Sequence, residues 1–132
     1  MENIFVDKSI NLIGEGADKV IIDGNSRLYA VNLLADGIRM ENFTIKNGIE
    51  AGIYTEYDNI VIKNCKITAN ELFGMEILSK NVSIINCTIY AIDWGILIAG
   101  ADNCTLKNLE IYSVENKSIT IVSSNDINIE DT

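Results

Sequence analysis

The sequence predicts an all-β fold in which one chain winds into a parallel β-helix with three short strands in each turn. Two observations predict it. The stretch "NIVIKNCKITAN" from Asn59 returns as "NVSIINCTIYAI" from Asn81 and as "NCTLKNLEIYSV" from Asn103, so corresponding residues lie about 22 positions apart. A sustained period of this length indicates stacked structural repeats. Within each copy, apolar and polar residues alternate, which is typical of half-buried strands.

Each turn is expected to hold three strands of three to five residues. In one turn, Ile53 and Thr55 after Gly52 mark one strand, Ile60 and Ile62 mark the next, and Cys65 and Ile67 follow the hinge. Strands this short cannot pair within their own turn. We therefore expect each strand to pair with the same strand of the next turn, about 4.8 Å away.

Inward-facing residues of successive turns should form apolar columns. The columns of the first two strands are Ile38, Ile60, Val82, Cys104 and Ile127; Met40, Ile62, Ile84, Leu106 and Ile129; Phe43, Cys65, Cys87 and Leu109; and Ile45, Ile67, Ile89 and Ile111. The third strand contributes Val31 and Leu33, Ile53 and Thr55, Met75 and Ile77, Ile96 and Ile98, and Ile119 and Ile121. Nearly every member is apolar, so these columns are the predicted core of a single domain spanning residues 1–132.

A row of asparagines is expected at the hinge between the first two strands. Its members are Asn42, Asn64, Asn86 and Asn108, and Gly14 holds the same position in the first turn. Asparagine tolerates the left-handed backbone of a sharp turn, and stacked amides can hydrogen-bond to one another. We interpret the row as a structural ladder, with a row of ligand-binding amides as the alternative.

The composition excludes several function classes. The net charge is −9 with no basic run, which disfavours nucleic acid as a partner. No apolar run is long enough to insert into a membrane. There is no histidine, and the three cysteines lie in inward columns, so no metal site is predicted. Whether Cys65 and Cys87 form a disulfide is left open.

The stretch "KSINLIGEGADKVIIDGN", from Lys8 to Asn25, resembles the opening of pectate-lyase-like parallel β-helix domains. The resemblance covers essentially the whole chain and implies a right-handed coil. It also implies a surface or secreted protein, although the N-terminus has no signal-peptide layout and a cytoplasmic location stays open. The family includes polysaccharide lyases, hydrolases and non-catalytic surface proteins. The His and Arg-Lys motifs of its hydrolases are missing here, which favours a non-enzyme.

Two outward surfaces are candidate sites. On the third strand, Tyr54, Glu56 and Glu76 form an acidic-aromatic patch that could flank a glycosidic bond or hold calcium, the one cofactor left open. The alternative interpretation is that these residues are solvated charged side chains on the surface of a strand. On the second strand, Thr88, Tyr90, Glu110 and Tyr112 point outward, and Asp93 and Trp94 follow at the next corner. Exposed aromatic rings suit sugar rings, although they could simply cover the sheet.

We therefore expect a non-catalytic structural or glycan-contacting module, with a polysaccharide as its partner. One alternative is a lyase-like or hydrolase-like domain that lacks catalytic elements. Another is a self-assembling structural solenoid, because neither end shows an amphipathic helix that could cap it. Uncapped parallel strand edges pair with other strands. They would be covered by end-to-end self-association or by further turns of a longer parent chain.

Overall fold

The computed structural model describes residues 2–91, 93–113 and 119–130, and in them all regular secondary structure is β-strand. The strands are β1 (Ile4–Val6), β2 (Asn11–Ile13), β3 (Ile21–Leu33), β4 (Arg39–Glu41), β5 (Thr44–Thr55), β6 (Val61–Lys63), β7 (Lys66–Asn70), β8 (Phe73–Ile77), β9 (Ser83–Ile85), β10 (Thr88–Ala91), β11 (Trp94–Ala99), β12 (Asp102–Lys107), β13 (Glu110–Ser113), β14 (Ile119–Val122) and β15 (Asn125–Glu130). Among the described residues, no helix is long and apolar enough to span a membrane.

The strands stack into a parallel solenoid with three faces. Face I holds β2, β4, β6, β9, β12 and β15. Face II holds the first halves of β3 and β5, followed by β7, β10 and β13, and face III holds β1, the second halves of β3 and β5, and then β8, β11 and β14. Every described strand pair is parallel, and most paired residues are 22 positions apart, as in Arg39 with Val61. The predicted fold class is confirmed.

The prediction of three separate strands in every turn is wrong for the early turns. β3 has 13 residues and β5 has 12, and each continues from face II into face III. The bends contain residues with left-handed backbone: Asn25 (φ 48°) and Ser26 (φ 60°) in β3, and Asn47 (φ 62°) in β5. These residues turn the chain without ending its pairing, so faces II and III merge into one sheet of nine strands.

The inward columns form the core. Ile38, Ile60, Val82 and Cys104 are buried in one column, and Met40, Ile62, Ile84 and Leu106 are buried in the next. The columns become exposed in the last described turn, where Ile121 and Ile129 lose their cover because no described strand lies above them. All three cysteines are buried and free, so Cys65 and Cys87 are not bridged in this structure.

The asparagine ladder is present, with gaps. Asn42, Asn64, Asn86 and Asn108 all have left-handed backbone, with φ between 51° and 68°. Nδ2 of Asn108 donates to Oδ1 of Asn86 at 3.0 Å, and Nδ2 of Asn42 donates to the Gly14 carbonyl at 3.2 Å. Among the described residues, no side-chain hydrogen bond joins Asn64 to its ladder neighbours. Asn64 therefore contributes to the turn through its left-handed backbone and adds no bond to the described part of the ladder.

A second ladder was not predicted. Asn59, Asn81 and Asn103 have φ of 61°, 56° and 56°. Asn59 and Asn81 precede β6 and β9 on face I, and Asn103 is the second residue of β12. Nδ2 of Asn81 donates to Oδ1 of Asn59 at 3.2 Å, and Nδ2 of Asn103 donates to Oδ1 of Asn81 at 2.7 Å. These residues open the three repeated stretches, so the same 22-residue period could have identified them.

Candidate functional site

The outward row of face III has the predicted register. Tyr54 pairs with Asn32 below and with Glu76 above, and Leu97 and Thr120 continue the row. Asn32 is only 7% exposed, and Tyr54 and Glu76 are half-buried, whereas Glu56 beyond the strand end is exposed. The row is therefore more enclosed than a set of solvated side chains on a strand.

Two residues that sequence reasoning missed complete this patch, which we call the acidic cluster: Tyr29, Glu50, Tyr54, Glu56 and Glu76. The rings of Tyr29 and Tyr54 are stacked, with centroids 4.3 Å apart and planes 14° apart. The Tyr29 hydroxyl donates to Oε2 of Glu50 at 2.5 Å, and the Tyr54 hydroxyl donates to Glu56. Each tyrosine thus holds one carboxylate.

Electrostatics in the acidic cluster disfavour a third negative charge. Burial raises the pKa of Glu76 to about 7, and the neighbouring Glu50 and Glu56 carboxylates add to the increase. Burial also raises the pKa of both tyrosines, and their hydrogen bonds to carboxylates reinforce it. Glu76 is therefore partly protonated near neutral pH, a state in which a carboxyl group can take up or release a proton.

Within the part of the chain that the structure describes, no three His, Cys, Asp or Glu side chains are grouped so that they could hold a metal ion. Two of the three carboxylates in the acidic cluster already accept tyrosine hydroxyls. Calcium binding at Glu56 and Glu76 stays a prediction.

The second candidate surface lies on face II, and we call Lys66, Thr88, Tyr90, Glu110 and Tyr112 the tyrosine platform. Tyr90 pairs with Tyr112, and their rings stack with centroids 4.8 Å apart and planes 12° apart. They are 40% and 51% exposed, as expected for outward positions. Nζ of Lys66, on the preceding turn, lies 5.5 Å from the Tyr90 ring centroid. The Tyr112 hydroxyl donates to Oε2 of Glu110 at 3.2 Å.

Trp94 does not extend the tyrosine platform. It begins β11 on face III, where its ring meets the edge of Phe73 with centroids 5.8 Å apart. Its backbone N–H donates to the Leu72 carbonyl at 2.8 Å, and its side chain is half-buried. The ring therefore packs at the corner, and Asp93 beside it is half-buried too. The sequence places Asp93 and Trp94 at the corner that follows Tyr90, and the structure has them there. Glycan contact by Trp94 stays a prediction.

Comparison with known proteins adds one finding. A family model described as a right-handed β-helix region matches residues 19–132 of the chain. Neither the curated proteins nor the solved structures include a significant match. The match agrees with the observed parallel solenoid, and it assigns the right hand that the sequence resemblance implied.

Proposed function

The chain belongs to the right-handed β-helix family, and from this premise we propose that it is a non-catalytic structural module whose tyrosine platform contacts a glycan. The observation that carries this proposal is the exposed, stacked pair Tyr90 and Tyr112 on the outer side of face II. The setting we propose is a surface or secreted protein, in which such a face would meet polysaccharide.

The geometry of the pair defines how a sugar would bind. Tyr90 lies between the Lys66 ammonium and the Tyr112 ring, so both of its faces have neighbours. Tyr112 has one face against Tyr90, and no ring of a described residue stacks on its other face, where we place the apolar side of a pyranose. Glu110, Thr88 and Lys66 supply hydrogen-bond partners for sugar hydroxyls around the rings. A sugar would thus extend the existing stack by one ring.

The test is binding of soluble polysaccharides, first by glycan array and then by calorimetry on the best ligand. Tyr112→Ser should weaken binding by roughly three- to tenfold, because it removes the stacking surface. Tyr57→Ser is the matched control, since Tyr57 is also 40% exposed but lies outside the platform. Equal loss in both variants, or no glycan bound by the parent chain, would refute the proposal.

A lyase-like or hydrolase-like activity is supported only by the acidic cluster, where Glu76 has a pKa near neutrality. We propose no catalytic residue from it, since two of the carboxylates are already held by tyrosines. The polysaccharide that binds best is the substrate to assay. Degradation that Glu76→Gln abolishes would replace the non-enzyme proposal.

A second candidate function is end-to-end assembly of this chain. At the first turn, an apolar cavity of about 380 Å³ is lined by residues such as Leu12, Ile22 and Phe43. At the last described turn, Ile121, Val122 and Ile129 are exposed. The occupant we propose is a second copy, because β15 on face I and β14 on face III could continue the same parallel pairing with β2 and β1 of that copy.

Assembly is tested by light scattering across a concentration series. The apparent mass should rise with concentration, and Ile129→Asp should suppress the rise by placing a charge in the contact. Ile49→Asp is the control, because Ile49 is similarly exposed but lies on the side of the solenoid. A chain that stays monomeric at all concentrations would exclude this candidate without affecting the glycan proposal.

A further inference from the structure

An open cleft of about 530 Å³ lies beside the acidic cluster, at the first turns of face III. The described residues that line it are Asn3, Phe5, Arg27, Leu28, Tyr29 and Asn32. β1 and the residue before it provide one side, and the bend and second half of β3 provide the other, with Phe5 paired to Asn32 in the sheet. The volume is within the range of small-molecule sites.

The walls of the cleft are largely apolar and aromatic. Phe5 is 66% exposed and Leu28 is 54% exposed, which is unusual for side chains of this size. Tyr29 follows Leu28 on β3, one turn beyond Phe5. Its ring is held in place by its stack on Tyr54 and by its hydroxyl bond to Glu50. A flat ring entering the cleft would therefore meet a fixed aromatic surface.

The polar groups of the cleft favour one negative charge. Arg27 is the only charged side chain among the described residues that line the cleft. Within the described part of the chain, its guanidinium makes no hydrogen bond or ion pair. The other arginine, Arg39, by contrast pairs with Glu41 at 3.0 Å. Asn32 is nearly buried, and its Nδ2 lies 3.5 Å from the Ile4 carbonyl oxygen. At this distance the hydrogen bond is weak, so the amide can still donate to a ligand.

We propose that this cleft binds a small molecule that carries an aromatic ring and a single carboxylate, with the ring between Phe5 and Tyr29 and the carboxylate on Arg27. A free guanidinium can bind a carboxylate in a bidentate manner. A sugar fits less well, because its several hydroxyls would find too few polar partners here. The carboxylates of the acidic cluster, behind Tyr29, repel the anion and orient it toward Arg27.

The test is an amide NMR titration of the whole chain with 3-phenylpropanoate and, in parallel, with the neutral 3-phenylpropan-1-ol. The acid should give saturable shifts at residues 3–5 and 27–32 and should bind about tenfold tighter than the alcohol, as a charge-assisted bond provides. Arg27→Gln should remove this preference and leave binding of the alcohol unchanged. Arg39→Gln is the control and should behave as the parent chain.

Several outcomes would overturn the proposal. Equal affinity for the acid and the alcohol would show that Arg27 does not bind the carboxylate. Shifts centred on Leu12 and Ile22 would place the ring in the end cavity, which Phe5 also lines. Phe5→Ser should weaken both ligands. Should this variant misfold, the Arg27→Gln comparison still decides, because the Arg27 side chain is exposed and its guanidinium bonds to none of the described residues.

Discussion

The half-buried carboxyl of Glu76 should make the protein less stable as the pH rises through neutrality. Its pKa is raised from an ordinary value of 4.5 to about 7 in the folded state. Between these values the folded chain binds more protons than the unfolded chain, so the free energy of unfolding falls with increasing pH. The loss begins near pH 4.5 and is complete above pH 7.

The size of this effect follows from the burial of Glu76. For a fully buried group, a pKa change from 4.5 to about 7 corresponds to about 3 kcal/mol. Glu76 is only half-buried and its charge is screened by solvent, so we expect about 1–2 kcal/mol. Glu76→Gln removes the titrating group and should raise the unfolding free energy at pH 8 by about that amount.

Urea denaturation at pH 5, 6, 7 and 8 measures the difference between parent and variant. The two chains should be equally stable near pH 5 and should diverge above it. Glu71→Gln is the control, because Glu71 is exposed on another part of the surface and its loss should leave the pH profile unchanged. A constant difference between the Glu76→Gln variant and the parent at every pH would refute the burial argument.

Three further predictions concern the side-chain rows. Asn81→Ala should lower the unfolding free energy by about 2–3 kcal/mol, since it removes a left-handed turn residue and two ladder hydrogen bonds. Asn64→Ala should cost about 1 kcal/mol less, because no ladder hydrogen bond between described residues depends on Asn64. Equal losses in urea denaturation would contradict this. Tyr112→Ser should change stability by less than about 1 kcal/mol, as for an exposed position. A larger loss would show that Tyr112 is part of the structural framework.

The regular turns could be predicted from the sequence because one rule governs them. A residue and its counterpart 22 positions later occupy the same place, so the columns, the row from Tyr54 to Glu76 and the pair Tyr90 and Tyr112 follow from counting. The same 22-residue spacing also relates Asn59, Asn81 and Asn103, so it predicts their ladder.

The 22-residue spacing does not predict side-chain contacts where the period of the repeat changes. The pairing of β3 with β5 shifts on both sides of Arg27. Tyr29 still pairs with Ala51, 22 positions later, but its side chain contacts Tyr54 and Glu50, which do not lie at that spacing. Phe73 and Trp94 pair at a spacing of 21, so the edge contact between their rings does not follow from adding 22. Glu50 lies at the bend of β5, where a left-handed residue redirects the chain. The backbone path decides which side chains contact one another at such corners, and the sequence period does not encode that path.

The irregular positions and the candidate sites coincide for a physical reason. In a regular turn each outward side chain meets a counterpart above and below, so its polar groups find partners within the stack, as in the asparagine ladders. At the bend of β3 the counterparts are displaced, and Arg27 is left without a partner among the described residues beside an open cleft. Local departures from a consistent pattern are where function is expected. In the tyrosine platform, Tyr90 pairs in register with Tyr112, but the pairing of β10 with β7 shifts at Tyr90. A structural row and a binding surface are the two roles that this stack can have. The response of Tyr112→Ser, in stability or in glycan affinity, separates these two roles.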